Sequence, residues 1–207
     1  NPDSNHMQKS VSLILLLSLA FVVTAQEQVI PPTEEPGRIM LTIPGDPSST
    51  AAVTWRTIFT DTVTLGQISK ADASPAGNDG VLTIRGKAAP WENGSSTSMG
   101  HRVVFNNLTP STKYIYRVGN GRNWSEWFSF TTASALSDPF SFIYLGDMQN
   151  DIASQCSRVI RQAYSHFPDS RFILFAGDIV DRSYDERWDQ LFHTGGWIFG
   201  TMPVMPT

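Results

Sequence analysis

Two short apolar runs, each closed by Gly-Asp, constrain this chain more than any other feature. Phe140-Ser141-Phe142-Ile143-Tyr144-Leu145 ends in Gly146-Asp147, and about thirty residues later Arg171-Phe172-Ile173-Leu174-Phe175-Ala176 ends in Gly177-Asp178. Continuous apolar runs of this length between turn residues read as buried parallel strands. Between them Ile152, Cys156, Val159, Ile160, Ala163 and Phe167 recur at helical spacing until Pro168 stops the pattern. Strand, helix, strand is a βαβ unit, whose crossover makes the two strands parallel neighbours. Such neighbours lie roughly 4.8 Å apart, so Asp147 and Asp178 are expected side by side at the carboxyl ends of their strands. Open α/β sheets place ligands at that edge. Two carboxylates this close repel, and one takes up a proton unless cations intervene. Paired catalytic ions sit about 3.5–4 Å apart, a span two such aspartates serve.

The chain before this unit reads differently. Residues 1–6 resemble a vector-derived scar, with Met7 the expected native start. Lys9 and the apolar stretch from Val11 to Val23 are followed by Val23-Thr24-Ala25, the small-residue pattern of a signal peptidase site. The apolar stretch is short for a membrane span of roughly 20 residues. Residues 7–25 are therefore expected to be a signal peptide, which makes the protein secreted or periplasmic with no permanent span after cleavage. Residues 26–37, with Pro31, Pro32 and Pro36, form a leader.

From residue 38 to 133 the period is two. Strands are expected at Ile39–Ile43, Ala51–Thr57, Val63–Ser69, Val81–Gly86, His101–Asn106, Lys113–Val118 and Glu126–Thr131, separated by turn residues. Seven short strands at this spacing make an all-β sandwich, with Trp55 pointing between the sheets. Leu108-Thr109-Pro110-Ser111-Thr112-Lys113-Tyr114 resembles the tyrosine corner of fibronectin type III-like domains. Trp91, Trp124 and Trp127 are better explained by packing than by a sugar or partner surface. Residues 134–139 form a linker, and residues 140–207 the first part of an α/β domain.

Gly146-Asp147-Met148-Gln149 and Gly177-Asp178-Ile179-Val180-Asp181 resemble the first two motifs of calcineurin-like metallophosphoesterases. Together with Trp55-Arg56-Thr57 and Tyr114-Ile115-Tyr116-Arg117-Val118-Gly119, they resemble the purple acid phosphatase branch. The resemblance implies two metal ions (Fe, Zn, Mn or Mg), with Asp147 holding one and Asp178 bridging both. It also implies hydrolysis of a small-molecule phosphate ester by metal-activated water. Two positions depart from the pattern. The tyrosine that colours the iron site in this branch is here Asp181, and the histidine that most of the superfamily place two residues after the first aspartate is here Gln149. Gln149 offers an amide oxygen, a harder donor than imidazole, so it joins Asp147 and Asp178 as a candidate ligand. Asp181 is expected behind them.

After Asp181 a further helix is expected, opened by a Ser183–Glu186 capping box, buried along Trp188, Leu191 and Phe192, and ended by Gly195-Gly196. Trp197 to Pro206 leads into another strand. The later Asn and His motifs implied by the resemblance are not in this sequence, so no catalytic or organic-cofactor residue is assigned in it, and the stretch is expected to be inactive by itself. Cys156, the one cysteine, is expected to be a buried structural thiol. A formal charge of -4 argues against nucleic-acid binding. Two other readings remain open: a phosphodiesterase or nucleotidase of the same superfamily, and a non-catalytic binding or adhesion module built on the sandwich.

Overall fold

The computed structural model describes residues 30–71, 80–93 and 96–207. The expected signal peptide lies outside these residues, as do the first four residues of the leader, 26–29, and the Ser74–Asp79 loop. Eight strands form a sandwich: β1 (Gly37–Thr42), β2 (Ala51–Ile58), β3 (Leu65–Lys70), β4 (Leu82–Arg85), β5 (Lys87–Asn93), β6 (Ser96–Phe105), β7 (Lys113–Gly119) and β8 (Phe128–Thr131). They make two antiparallel sheets, ordered β1-β2-β6-β5 and β4-β3-β7-β8. Leu41, Val53, Trp55, Val103 and Phe105 from the first sheet meet Ile68, Tyr114, Tyr116, Val118, Phe128 and Phe130 from the second in one core. The alternation that predicted the sandwich is this alternation of inward residues.

The sheet count corrects the sequence reading by one strand. β5 contains Pro90, which cannot donate to a ladder, and Pro in a strand belongs at an edge. β5 is the edge of its sheet. Its partner β6 begins at Ser96 rather than near His101 because β5 pairs with its first half, from Asn93↔Ser96 to Lys87↔Arg102. The tyrosine corner is formed as expected, with the Thr109 N–H donating to the Tyr114 hydroxyl at 2.9 Å. Trp124 and Trp127 clasp the Arg117 guanidinium at 4.7 and 4.8 Å, which gives both rings a packing role.

Beyond the sandwich, β9 (Ile143–Leu145), β10 (Ile173–Phe175) and β11 (Val204–Pro206) form a parallel sheet ordered β11-β10-β9. Helix α1 (Ser157–His166), preceded by a π-helical turn over Ile152–Cys156, crosses from β9 to β10. The wider π turn changes the phase of the helix. Ile152, Cys156 and Ile160 are buried as expected, but Val159 and Phe167 are exposed. Helices α2 (Asp185–Gly195) and α3 (Ile198–Thr201) lead into β11. Helix α2 has no capping box: Tyr184 flanks its start without a side-chain cap, and Asp185 and Glu186 in the first turn complement the helix dipole instead. Gly196, at φ 51°, ends it.

The two halves share buried polar contacts. The Tyr116 hydroxyl donates to the Gly200 carbonyl at 2.6 Å, and burial pushes that phenol far above its ordinary value. Met40 of β1 packs into the α/β core. Arg38 and Arg56 of the sandwich meet Asp185 and Asp189 of α2 in a quartet whose side chains are at most 9% exposed. Arg38 reaches Asp185 Oδ1 at 3.0 Å and Asp189 Oδ1 at 2.7 Å, while Arg56 reaches Asp185 Oδ2 at 3.0 Å and Asp189 Oδ1 at 3.1 Å. The Ile30 N–H donates to the second Asp189 oxygen, and Arg56 also donates to the Ile30 carbonyl. Burial, then the Arg38 cation, pull the Arg56 guanidinium below its ordinary value, against the two carboxylates that push it back.

Inside the sandwich, His101 stacks on Trp55 at 5.0 Å, and each ring nitrogen meets a hydroxyl, Thr57 at 2.7 Å and Thr64 at 2.8 Å. Burial lowers the proton affinity of this imidazole, and the Asp61 charge opposes the shift only in part. An unfolded chain therefore takes the proton first as pH falls. The neutral ring's contribution is complete above the ordinary value of 6.5 and declines as pH drops toward the depressed folded value. Chemical denaturation across this range should show stability falling with acidification. The His101→Gln variant should lose that part of the slope, at most about 1.4 kcal/mol per pH unit.

Candidate functional site

The two Gly-Asp turns leave the same edge of the parallel sheet. Register pairs Leu145 of β9 with Phe175 of β10. Asp147 follows the first by two residues and Asp178 follows the second by three, so the aspartates are offset by one residue rather than level. Both have left-handed backbones, φ 58° at Asp147 and φ 48° at Asp178, and Gly177 before the second is at φ 81°. Non-glycine residues adopt this region at a cost of order 1–3 kcal/mol unless their surroundings hold them there. Here the core supplies the hold: Met148 is buried directly after Asp147, and Ile179 and Val180 pack against the same cluster after Asp178.

Gln149 joins the two turns. Its Nε2 donates to Asp147 Oδ1 at 2.9 Å and lies 3.4 Å from Asp178 Oδ2. One nitrogen touching both carboxylates means that they converge. Behind the loop, the Cys156 thiol donates to the carbonyls of Met148 at 3.4 Å and Asn150 at 3.3 Å. It thus satisfies backbone groups that a turn would otherwise bury unpaired. Asp181 lies on the loop after Asp178 and pairs with Arg187 of α2 at 3.0 Å.

The other titratable candidates lie elsewhere. His166 bonds its own helix through the Gln162 carbonyl, His193 is exposed in the last turn of α2, and His101 is inside the sandwich. Among the described residues no group of three or more His, Cys, Asp or Glu side chains is placed to hold a metal ion. The arrangement therefore presents two carboxylates and one amide at an open sheet edge, all hard donors. Sequence reasoning missed the buried quartet of Arg38, Arg56, Asp185 and Asp189 that joins the sandwich to α2. A signal was available: Asp185 and Asp189 are four apart, on a helix whose Leu191 is buried. Carboxylates on a buried face require cations.

The observed class is a fibronectin-like sandwich followed by a parallel α/β unit with two aspartates at the carboxyl edge of its sheet. Residues 36–132 match the purple acid phosphatase N-terminal domain. Human acid phosphatase type 7 is 30% identical over 169 residues, which cover 79% of this chain and 36% of that protein. A solved structure of PhoD aligns with a TM-score of 0.56 at 12% identity, covering 88% of this chain and 40% of its own, and supports the fold. Over these residues the chain is similar to purple acid phosphatases, and it spans about a third of the length of the human relative.

Burial and the nearby Asp151 and Asp147 charges, with burial the larger cause, raise the Cys156 thiol above its ordinary value. The native protein should react with a thiol reagent such as DTNB at least about tenfold more slowly than the denatured chain, because attack requires an accessible thiolate. Equal rates would contradict the packed thiol.

Proposed function

We propose that this protein is an exported, metal-dependent phosphoesterase acting on small phosphate monoesters. The observation that carries the reading is the convergence of Asp147 and Asp178 on one Gln149 nitrogen at the carboxyl edge of two parallel strands. That position accepts positive charge from two sides, and its two carboxylates and one amide are hard oxygen donors of the kind a divalent cation takes. The two carboxylates repel each other there, and a cation in place of the amide N–H would offset that repulsion and keep both ionised. Asp178 would bridge, Asp147 would hold one ion, and Gln149 would turn its amide oxygen inward. When bound, the ions would polarise phosphoryl oxygens and supply activated water. The chain's own residues do the positioning: the strained turns aim the carboxylates, and Cys156 and Asp181 hold the loops that carry them. The family match and the human acid phosphatase support the phosphoester chemistry. The apolar stretch and small residues of 7–25 support export, and no described helix is long and apolar enough to cross a membrane.

The full-length protein should hydrolyse p-nitrophenyl phosphate in the presence of Fe, Zn, Mn or Mg, and more slowly the bis-aryl phosphate. Activity should vanish with chelation and return with metal. Asp178→Asn should lower kcat on the order of a hundredfold or more. Preference for the bis-aryl ester would move the assignment to a phosphodiesterase, and metal-independent hydrolysis would end it.

A further inference from the structure

We propose that Arg38 and Arg56 of the sandwich are positioning residues for Asp178, so that the β-sandwich is a working part of the metal site. This rests on the function proposed above. The connection is continuous and short. From Asp178 the loop runs through Ile179 and Val180, both packed on the α/β core, to Asp181. Asp181 is tied to Arg187 at 3.0 Å. Arg187 lies on α2 between Asp185 and Asp189, the two carboxylates gripped by Arg38 and Arg56. Sandwich, helix and loop are thus joined by two polar links, the quartet and the Arg187–Asp181 pair, and the loop reaches Asp178 through Ile179 and Val180, which pack on the core.

Two details show that the grip is directional. Arg38 has a left-handed backbone, φ 53°, where the register of β1 against β2 shifts between Gly37 and Met40. A bulge of this kind re-aims a side chain, and here it aims the guanidinium at α2. Arg38 Nη2 also donates to the Asp185 main-chain carbonyl at 2.8 Å, so the clamp fixes the helix backbone at its first residue as well as its side chains. The other end of the path, Asp178, is strained in the same sense. A strained ligand keeps its direction only while its surroundings are held. Releasing α2 lets the loop relax toward ordinary dihedrals and turns the carboxylate away from Asp147.

Mn2+ binding to the full-length protein, measured by titration calorimetry, tests this, with circular dichroism reporting the fold. Arg38→Gln and Arg56→Gln should each weaken Mn2+ binding about 10–100-fold, the range for residues that orient ligands, with a native spectrum retained. Arg38→Lys should recover part of the loss. A well-folded Arg38→Gln protein with wild-type affinity would overturn the proposal. Should that variant fail to fold, the wild type decides. Binding is reciprocal, so Mn2+ should slow amide exchange at Ile30, whose N–H is held by Asp189, and across residues 179–189. Unchanged exchange despite bound Mn2+ would also overturn the proposal. Asp178→Asn separates the two readings: if it binds Mn2+ as the wild type does, the site assignment itself fails, and this inference with it.

Discussion

Two arginines and two aspartates, all nearly excluded from water, join the sandwich to α2, and the relation of the two halves depends on them. Burying such charges is costly, and a set of well-packed apolar side chains holds an interface as firmly. Directionality is what the ionic version adds. Each guanidinium is a planar fork that accepts few orientations of its partners, and here both forks share the same two carboxylates. Removing one member leaves an uncompensated charge in the interface, at about 3–5 kcal/mol. Only a narrow range of rotations between sandwich and helix keeps all four satisfied.

That constraint bears on the sheet edge. Parallel strands bring Asp147 and Asp178 out on one side of the molecule, but strand position alone leaves the turns free to relax. Both aspartates keep left-handed backbones between buried neighbours, Met148 on one side and Ile179 and Val180 on the other. Gly177 supplies the flexibility that one tight turn needs. The edge is held from below by the core, from behind by the Cys156 thiol, and from the side by α2. Strain of this sort is tolerated where a site must be preorganised.

Much of this was legible in the residues. The period-two pattern gave the sandwich because each inward side chain of Val53, Trp55, Tyr114 and Tyr116 has a core position to fill. The two apolar runs and the helix between them gave the parallel strands and their shared edge, although the first run is buried only in alternation, with Phe140, Phe142 and Tyr144 exposed. β5 was hidden because Pro90 and its small neighbours lack strand propensity, and pairing with β6 at an edge overrides that deficit. The exposed Val159 and Phe167 follow from the π turn, an inserted phase shift that apolar spacing does not report. Tyr184, rather than the Ser183 capping box, flanks α2, and Asp185 at its first position is held by Arg38. The i, i+4 spacing of Asp185 and Asp189 was legible, but their arginine partners lie more than a hundred residues away and carry no local pattern that would pair them.

If the quartet welds the sandwich to α2, the two halves cannot unfold separately. Scanning calorimetry of the full-length protein measures this most directly, because independent units give separate transitions while coupled ones give a single transition with matching calorimetric and van't Hoff enthalpies. A single cooperative transition that takes the sandwich and α2 together is the predicted result. A sandwich that melts by itself, leaving the α/β part folded, would contradict the account.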